Sequence, residues 1–214
     1  MPPALSVPAG PPREIVHSPL LRTAQTAEAV AAAASAPGAF DSPIALRADP
    51  GVMEVAQGEW EGRPATEIVE RWGDLLDAWH RRPTEAWAPG GESLVEVQAR
   101  ASGSLRALLR KLVDGERRQT AAPSTLVGGA RLTDGPWSIL VSHDGLFKVA
   151  LLTLFDLPLE RFWAFSFSLC GLSVVELVDG EPRLRAHNLT DHLAPLLEEA
   201  AQEISEEREQ LGAL

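Results

Sequence analysis

The sequence predicts an α/β fold, a three-layer α/β/α sandwich on a mostly parallel sheet, and three observations carry that prediction. Short apolar runs, Glu14-Ile15-Val16-His17 and Ser138-Ile139-Leu140-Val141-Ser142 among them, have the pattern of buried strands. Segments with apolar residues at three-and-four spacing lie between them, and strands separated by helices favour this layering. The chain has 214 residues, 45% apolar and 23% charged, which suits a single globular domain over 1–214.

Residues 1–13 are expected to be irregular, with five prolines and only Ala4 to Val7 able to extend. After the strand at 14–17, Ser18-Pro19 offers an N-cap and a proline at the first helical position. The alanine-rich stretch from Leu20 to Ala36 continues as a helix and stops at Pro37-Gly38. Ile44 to Arg47 is a brief strand, and Asp49 to Gly62 is a glycine-punctuated loop. Ile68, Val69, Trp72, Leu75, Leu76 and Trp79 mark an amphipathic helix that ends before Pro83. Ser93 and Glu96 form a capping box that opens the next helix, whose buried stripe is Val97, Ala101, Leu105, Leu108, Leu109 and Leu112. Residues 119–136 lack periodicity and are expected to form a flexible loop. A helix from Leu146 to Phe155 follows the strand at 138–142. The runs Leu172–Leu177 and Arg183–His187 flank Asp179-Gly180, a hairpin signal. A helix from about Asp191 to Gln210 closes the chain, and residues 198–214 make its acidic end.

The net charge of −11 argues against nucleic acid and anionic membranes as partners. Six glutamates and one arginine beyond residue 197 carry five of those excess negative charges. No apolar run is long enough to span a bilayer, and the N-terminus lacks a secretory pattern, so a cytoplasmic location is expected. Cys170 is the single cysteine and cannot form an internal disulfide.

Three side chains stand where chemistry is plausible. His143 follows a strand and precedes a helix, where α/β sheets bind ligands and a helix N-terminus offers amides to an anion. Its alternative role is a cap satisfied by backbone. Arg22 lies in the first turn of a helix, where a cation opposes the dipole unless an anion shares the site; the alternative is a solvated arginine. Glu54, flanked by apolar residues, is expected to be partly desolvated, as suits a group that protonates a leaving oxygen. Glu92, Ser93 and Trp60 are weaker candidates for a substrate pocket, with helix capping and core packing as their alternatives.

The wording of these segments adds to their positions. Ser18-Pro19-Leu20-Leu21-Arg22-Thr23-Ala24-Gln25-Thr26-Ala27-Glu28 closely resembles a signature of the histidine phosphatase (phosphoglycerate mutase-like) superfamily. Met53-Glu54 with Gly58-Glu59-Trp60-Glu61-Gly62, then Pro89-Gly90-Gly91-Glu92-Ser93 with Arg100, then Val141-Ser142-His143-Asp144-Gly145, and finally Asn188 to Leu193 follow in that family's order. The resemblance implies a phosphomonoester hydrolase working through a phosphohistidine, with Arg22 and His143 on the phosphate and Glu54 as the acid. It calls for no metal and no cofactor, and its partner is a small phosphorylated substrate or inorganic phosphate. The family's opening Arg-His-Gly, which carries the nucleophile on a first strand, occurs nowhere in this sequence. That strand is therefore expected to be missing, leaving a truncated enzyme, a non-catalytic phosphate-binding scaffold, or an enzyme with a substitute nucleophile such as His17. A mutase-type phosphotransferase is a further alternative. Loss of an inner strand also predicts lower stability or a homo-oligomer.

Overall fold

Ile15 and Val16 set the layers. Consecutive side chains of a strand point to opposite faces of its sheet, and both residues are almost completely buried in the strand β1, Ile15–His17. Ile15 packs with Ala27 and Ala31 of the helix α1, Leu21–Ala34. Val16 packs on the other side with Trp79 of α2 (Ala65–Arg81), with Leu94, Val97 and Ala101 of α3 (Leu94–Gln119), and with Leu146, Val149 and Leu152 of α4 (Asp144–Leu154). The result is helix, sheet and helices in three layers, as the sequence predicts.

The computed structural model describes residue 8, residues 10–119 and residues 135–196. Its packing divides the chain into two compact units, Met1–Phe165 and Ser166–Leu214. In the first unit, β1 lies between β2 (Leu46–Ala48) and β3 (Ile139–Val141), both parallel to it. His17 stands opposite Ala48 and Val141, so all three strands end at one edge of the sheet. The segments that leave this edge begin at Ser18, Asp49 and Ser142, and they carry the candidate site. Among the described residues, β3 pairs on one side only.

The second unit contains the predicted hairpin, β4 (Leu172–Val178) with β5 (Glu181–Leu189), paired antiparallel. Asp179 and Gly180 have φ of 56° and 86°, the two left-handed residues that a tight two-residue hairpin turn requires.

Several expectations need correction. Ser18 is not the residue before α1: Leu20 is the capping position, with no side-chain cap, while Ser18 Oγ accepts from the Leu20 N–H and meets His143. The strand expected over 44–47 runs from 46 to 48. The loop over 49–62 is more ordered than its glycines suggest, with single 3-10 turns at Pro50–Val52 and Gly58–Trp60. α4 starts two residues earlier than predicted, and a 3-10 segment at Leu159–Ala164 was not anticipated. The capping box holds, since Ser93 N–H and Oγ both donate to Glu96 and the Glu96 N–H returns to Ser93 Oγ. The flexible loop expected over 119–136 and the acidic end at 198–214 fall largely or wholly outside the described residues. No helix among the described residues is long and apolar enough to cross a membrane.

Candidate active site

The site is built on the N-terminus of α4. His143 is the residue before that helix, but its ring makes no cap hydrogen bond, which removes the bland account of it. The side chain is buried, 7% exposed, and its Nε2 lies 2.9 Å from Ser18 Oγ. Ser18 is itself fully buried and accepts from the Leu20 N–H at 3.3 Å, which leaves its hydroxyl proton free for the imidazole. Burial, reinforced by the charges of Arg22 and Arg100, pushes His143 down to about 4. The ring is therefore neutral at physiological pH, held by a serine from a neighbouring strand end.

Arg22, the second residue of α1, is exposed, and its guanidinium makes no hydrogen bond or ion pair among the described residues. A guanidinium at the positive end of a helix dipole, close enough to another basic group to depress it, is poorly placed in the absence of an anion. Its forked donors suit two phosphate oxygens.

Glu54 reaches the same helix end. Its Oε1 accepts from the Leu146 N–H at 3.0 Å and from the Val55 N–H at 2.9 Å, and its Oε2 lies 3.4 Å from the Gly145 N–H. Desolvation was the expected feature of this carboxyl, yet backbone donors dominate its surroundings. The approach is close: a Cβ on Gly145 would come within 2.7 Å of Glu54 Oε1 and 2.9 Å of Val55 Cγ2. Glu54 and His143, 89 positions apart in sequence, thus meet at the start of α4, and the charge of Arg22 acts on the His143 ring.

The weaker candidates have other occupations. Glu92 is clasped by Arg100, Oε1 to Nε and Oε2 to Nη2, both at 2.8 Å, and it accepts from the Ala56 N–H at 3.0 Å. The Arg100 guanidinium also donates to the carbonyls of Gly51, Met53 and Glu54. These two residues therefore shape the loop that carries Glu54. The Arg100 hydrogen bonds hold the Glu92 carboxyl below its ordinary value, against the opposing effect of burial. Ser93 is engaged in its capping box, and Trp60, 6% exposed, belongs to the core. His17, the possible substitute nucleophile, donates from Nδ1 to the Ser18 carbonyl at 2.9 Å.

Ser18 and Arg100 are the residues that sequence reasoning undervalued. Ser18 carried only a cap signal, and nothing local ties it to a histidine 125 positions away. Arg100 was grouped with the Glu92 segment, but Glu92 lies before α3 and no helical spacing pairs the two. Among the described residues, no group of three or more His, Cys, Asp or Glu side chains could hold a metal ion.

His143 gives the fold a pH signature. Its folded value, about 4, lies below the unfolded reference of 6.5. The unfolded chain therefore takes up the proton first, and stability falls as pH drops from 6.5 toward 4. The full shift corresponds to at most about 3 kcal/mol. Urea unfolding across this window is expected to show that slope in the wild type and a flatter one in His143→Gln. Equal slopes would mean that the imidazole is not held neutral.

The sequence profile of the histidine phosphatase superfamily (branch 1) matches residues 5–190. Phosphoserine phosphatase 1 of Hydrogenobacter thermophilus is 24% identical over 186 residues, spanning 87% of this chain and 74% of that protein. Among solved structures, the mycobacterial glucosyl-3-phosphoglycerate phosphatase aligns at 27% identity with a TM-score of 0.63, over 84% of this chain and 78% of the other. Its complex with inorganic phosphate aligns at 28% identity with a TM-score of 0.61, over the same shares. The alpha-ribazole phosphatase from Shigella flexneri, at 19% identity, a TM-score of 0.61 and coverage of 83% and 73%, shares the fold.

Proposed function

Since this chain belongs to the histidine phosphatase superfamily, we propose that Arg22, His143 and the α4 terminus bind the phosphoryl group of a small phosphomonoester, with Glu54 as acid for the leaving oxygen. The observation that carries the reading is the unpaired Arg22 guanidinium beside a buried neutral imidazole at a helix N-terminus. A phosphate dianion there would favour the protonated imidazole, in which both ring nitrogens donate. Arg22 would hold the oxygens over which charge spreads during transfer. Hydrolysis is favoured over mutase chemistry, in keeping with the phosphatases among its relatives.

Turnover by this polypeptide is a separate matter, because no Arg-His-Gly supplies a nucleophile. The second reading is a phosphate-binding protein without catalysis. Titration calorimetry with inorganic phosphate, in two buffers of different ionisation enthalpy, tests the pocket. Binding with net proton uptake near neutral pH is expected, and no binding at about 10 mM phosphate would remove the proposal. Incubation with para-nitrophenyl phosphate separates the two readings. An acid-labile phosphoenzyme with turnover supports the hydrolase, and binding without either supports the scaffold.

A further inference from the structure

Lys148 is a charged residue on the buried face of α4, between Leu146 and the run Val149 to Leu152, and its side chain is only 8% exposed. Its ammonium lies 4.9 Å from the Trp163 ring centroid and 5.3 Å from that of Phe162. Its carboxylate partner, at 2.7 Å, is Asp144, which is half exposed. Placing an ammonium inside an apolar layer is costly unless its charge is used, so the position calls for an explanation.

Asp144 supplies one. It is the first residue of α4, adjacent to His143 and one position before the amides that meet Glu54. A carboxylate suits the helix dipole there, but it also puts a negative charge on the same helix terminus that the phosphate reading offers to an anion. We propose that Lys148, held by the Phe162 and Trp163 rings, cancels the charge of Asp144 so that this terminus can accept a phosphate. Lys148 is thus a positioning residue that acts through Asp144 without touching the anion. The proposal rests on the phosphate reading of the pocket.

A double-mutant cycle tests it, with Lys148→Met, Asp144→Asn and their combination. Two readouts are used: the dissociation constant for inorganic phosphate, and the His143 titration followed by NMR in the ligand-free protein. The charges that act on this ring in the wild type are Arg22 and Arg100, and Asp144 follows it directly in the chain, balanced by Lys148. Lys148→Met is expected to weaken phosphate binding about three- to tenfold and to raise the His143 pKa, since the acid is then uncompensated. Asp144→Asn is expected to do the reverse, and the double variant to return close to wild type in both. An unchanged pair of readouts in Lys148→Met, or a double variant as impaired as that single one, would overturn the proposal. If the wild type binds no phosphate, the pocket reading fails by itself, while the His143 titration still decides the role of Lys148.

Discussion

Arg22→Gln is expected to weaken phosphate binding about 30- to 150-fold while leaving the fold intact. The side chain is exposed and makes no contact that its removal would strand among the described residues. Its loss also removes a cation from the first turn of α1, where the dipole disfavours it, so stability is expected to stay level or rise by a few tenths of a kcal/mol. The loss in binding corresponds to about 2–3 kcal/mol, the worth of charge-assisted hydrogen bonds to an anion. The same substitution removes one of the charges that hold His143 down, so its pKa is expected to rise from about 4. Calorimetry and NMR titration read the two effects on one variant. Phosphate affinity within threefold of wild type would place the anion elsewhere.

Arg100→Met is expected to have the largest effect on stability, a loss of about 3 kcal/mol, or roughly 6–12 °C in Tm. Arg100 makes two hydrogen bonds to Glu92 and three to the carbonyls of Gly51, Met53 and Glu54, tying α3 to the loop after β2. Methionine fills much of the volume but strands an acid whose side chain is 28% exposed, together with three acceptors. Adding Glu92→Gln should recover part of the loss, because the uncompensated charge disappears, and the two substitutions should be non-additive. Thermal and urea unfolding of both variants check this. A loss below about 1 kcal/mol would mean that packing of Val52, Val55 and Trp60 alone fixes the loop.

The two predictions divide the arginines by role. The Arg22 guanidinium has no hydrogen bond or ion pair among the described residues, whereas that of Arg100 makes five hydrogen bonds. Sequence position gave little basis for telling them apart, since each lies in a helix among small and polar residues. What separates them is Glu92, which binds Arg100 through a contact that depends on two loops meeting. Those loops lie so close that a Cβ on Gly58 would come within 2.2 Å of the Pro89 carbonyl oxygen.

Much of the fold was legible because the signals are local. The alternation at Ile15-Val16, the Ser93–Glu96 capping box and the Asp179-Gly180 turn each involve a few consecutive residues whose backbone preferences decide the outcome. The errors share an opposite cause. Ser18 accepts from the Leu20 N–H as a capping serine does, yet α1 begins only at Leu21, and the same hydroxyl also meets His143 once β1 and β3 align in parallel. The loop over 49–62 was read from its glycines, yet its order comes from Arg100, Glu92 and the buried Val52 and Val55.

The amino-acid order alone determined the layered α/β class, the helix boundaries to within a few residues, and the identities of Arg22, Glu54 and His143 as candidates. Only the tertiary structure decided that Glu54 and His143 meet at the start of α4, that Glu92 pairs with Arg100, and that Lys148 lies buried behind Asp144. Backbone preference is encoded over a few neighbouring residues, whereas charge placement depends on which strand ends share an edge, and that register exists only after the chain has closed on itself.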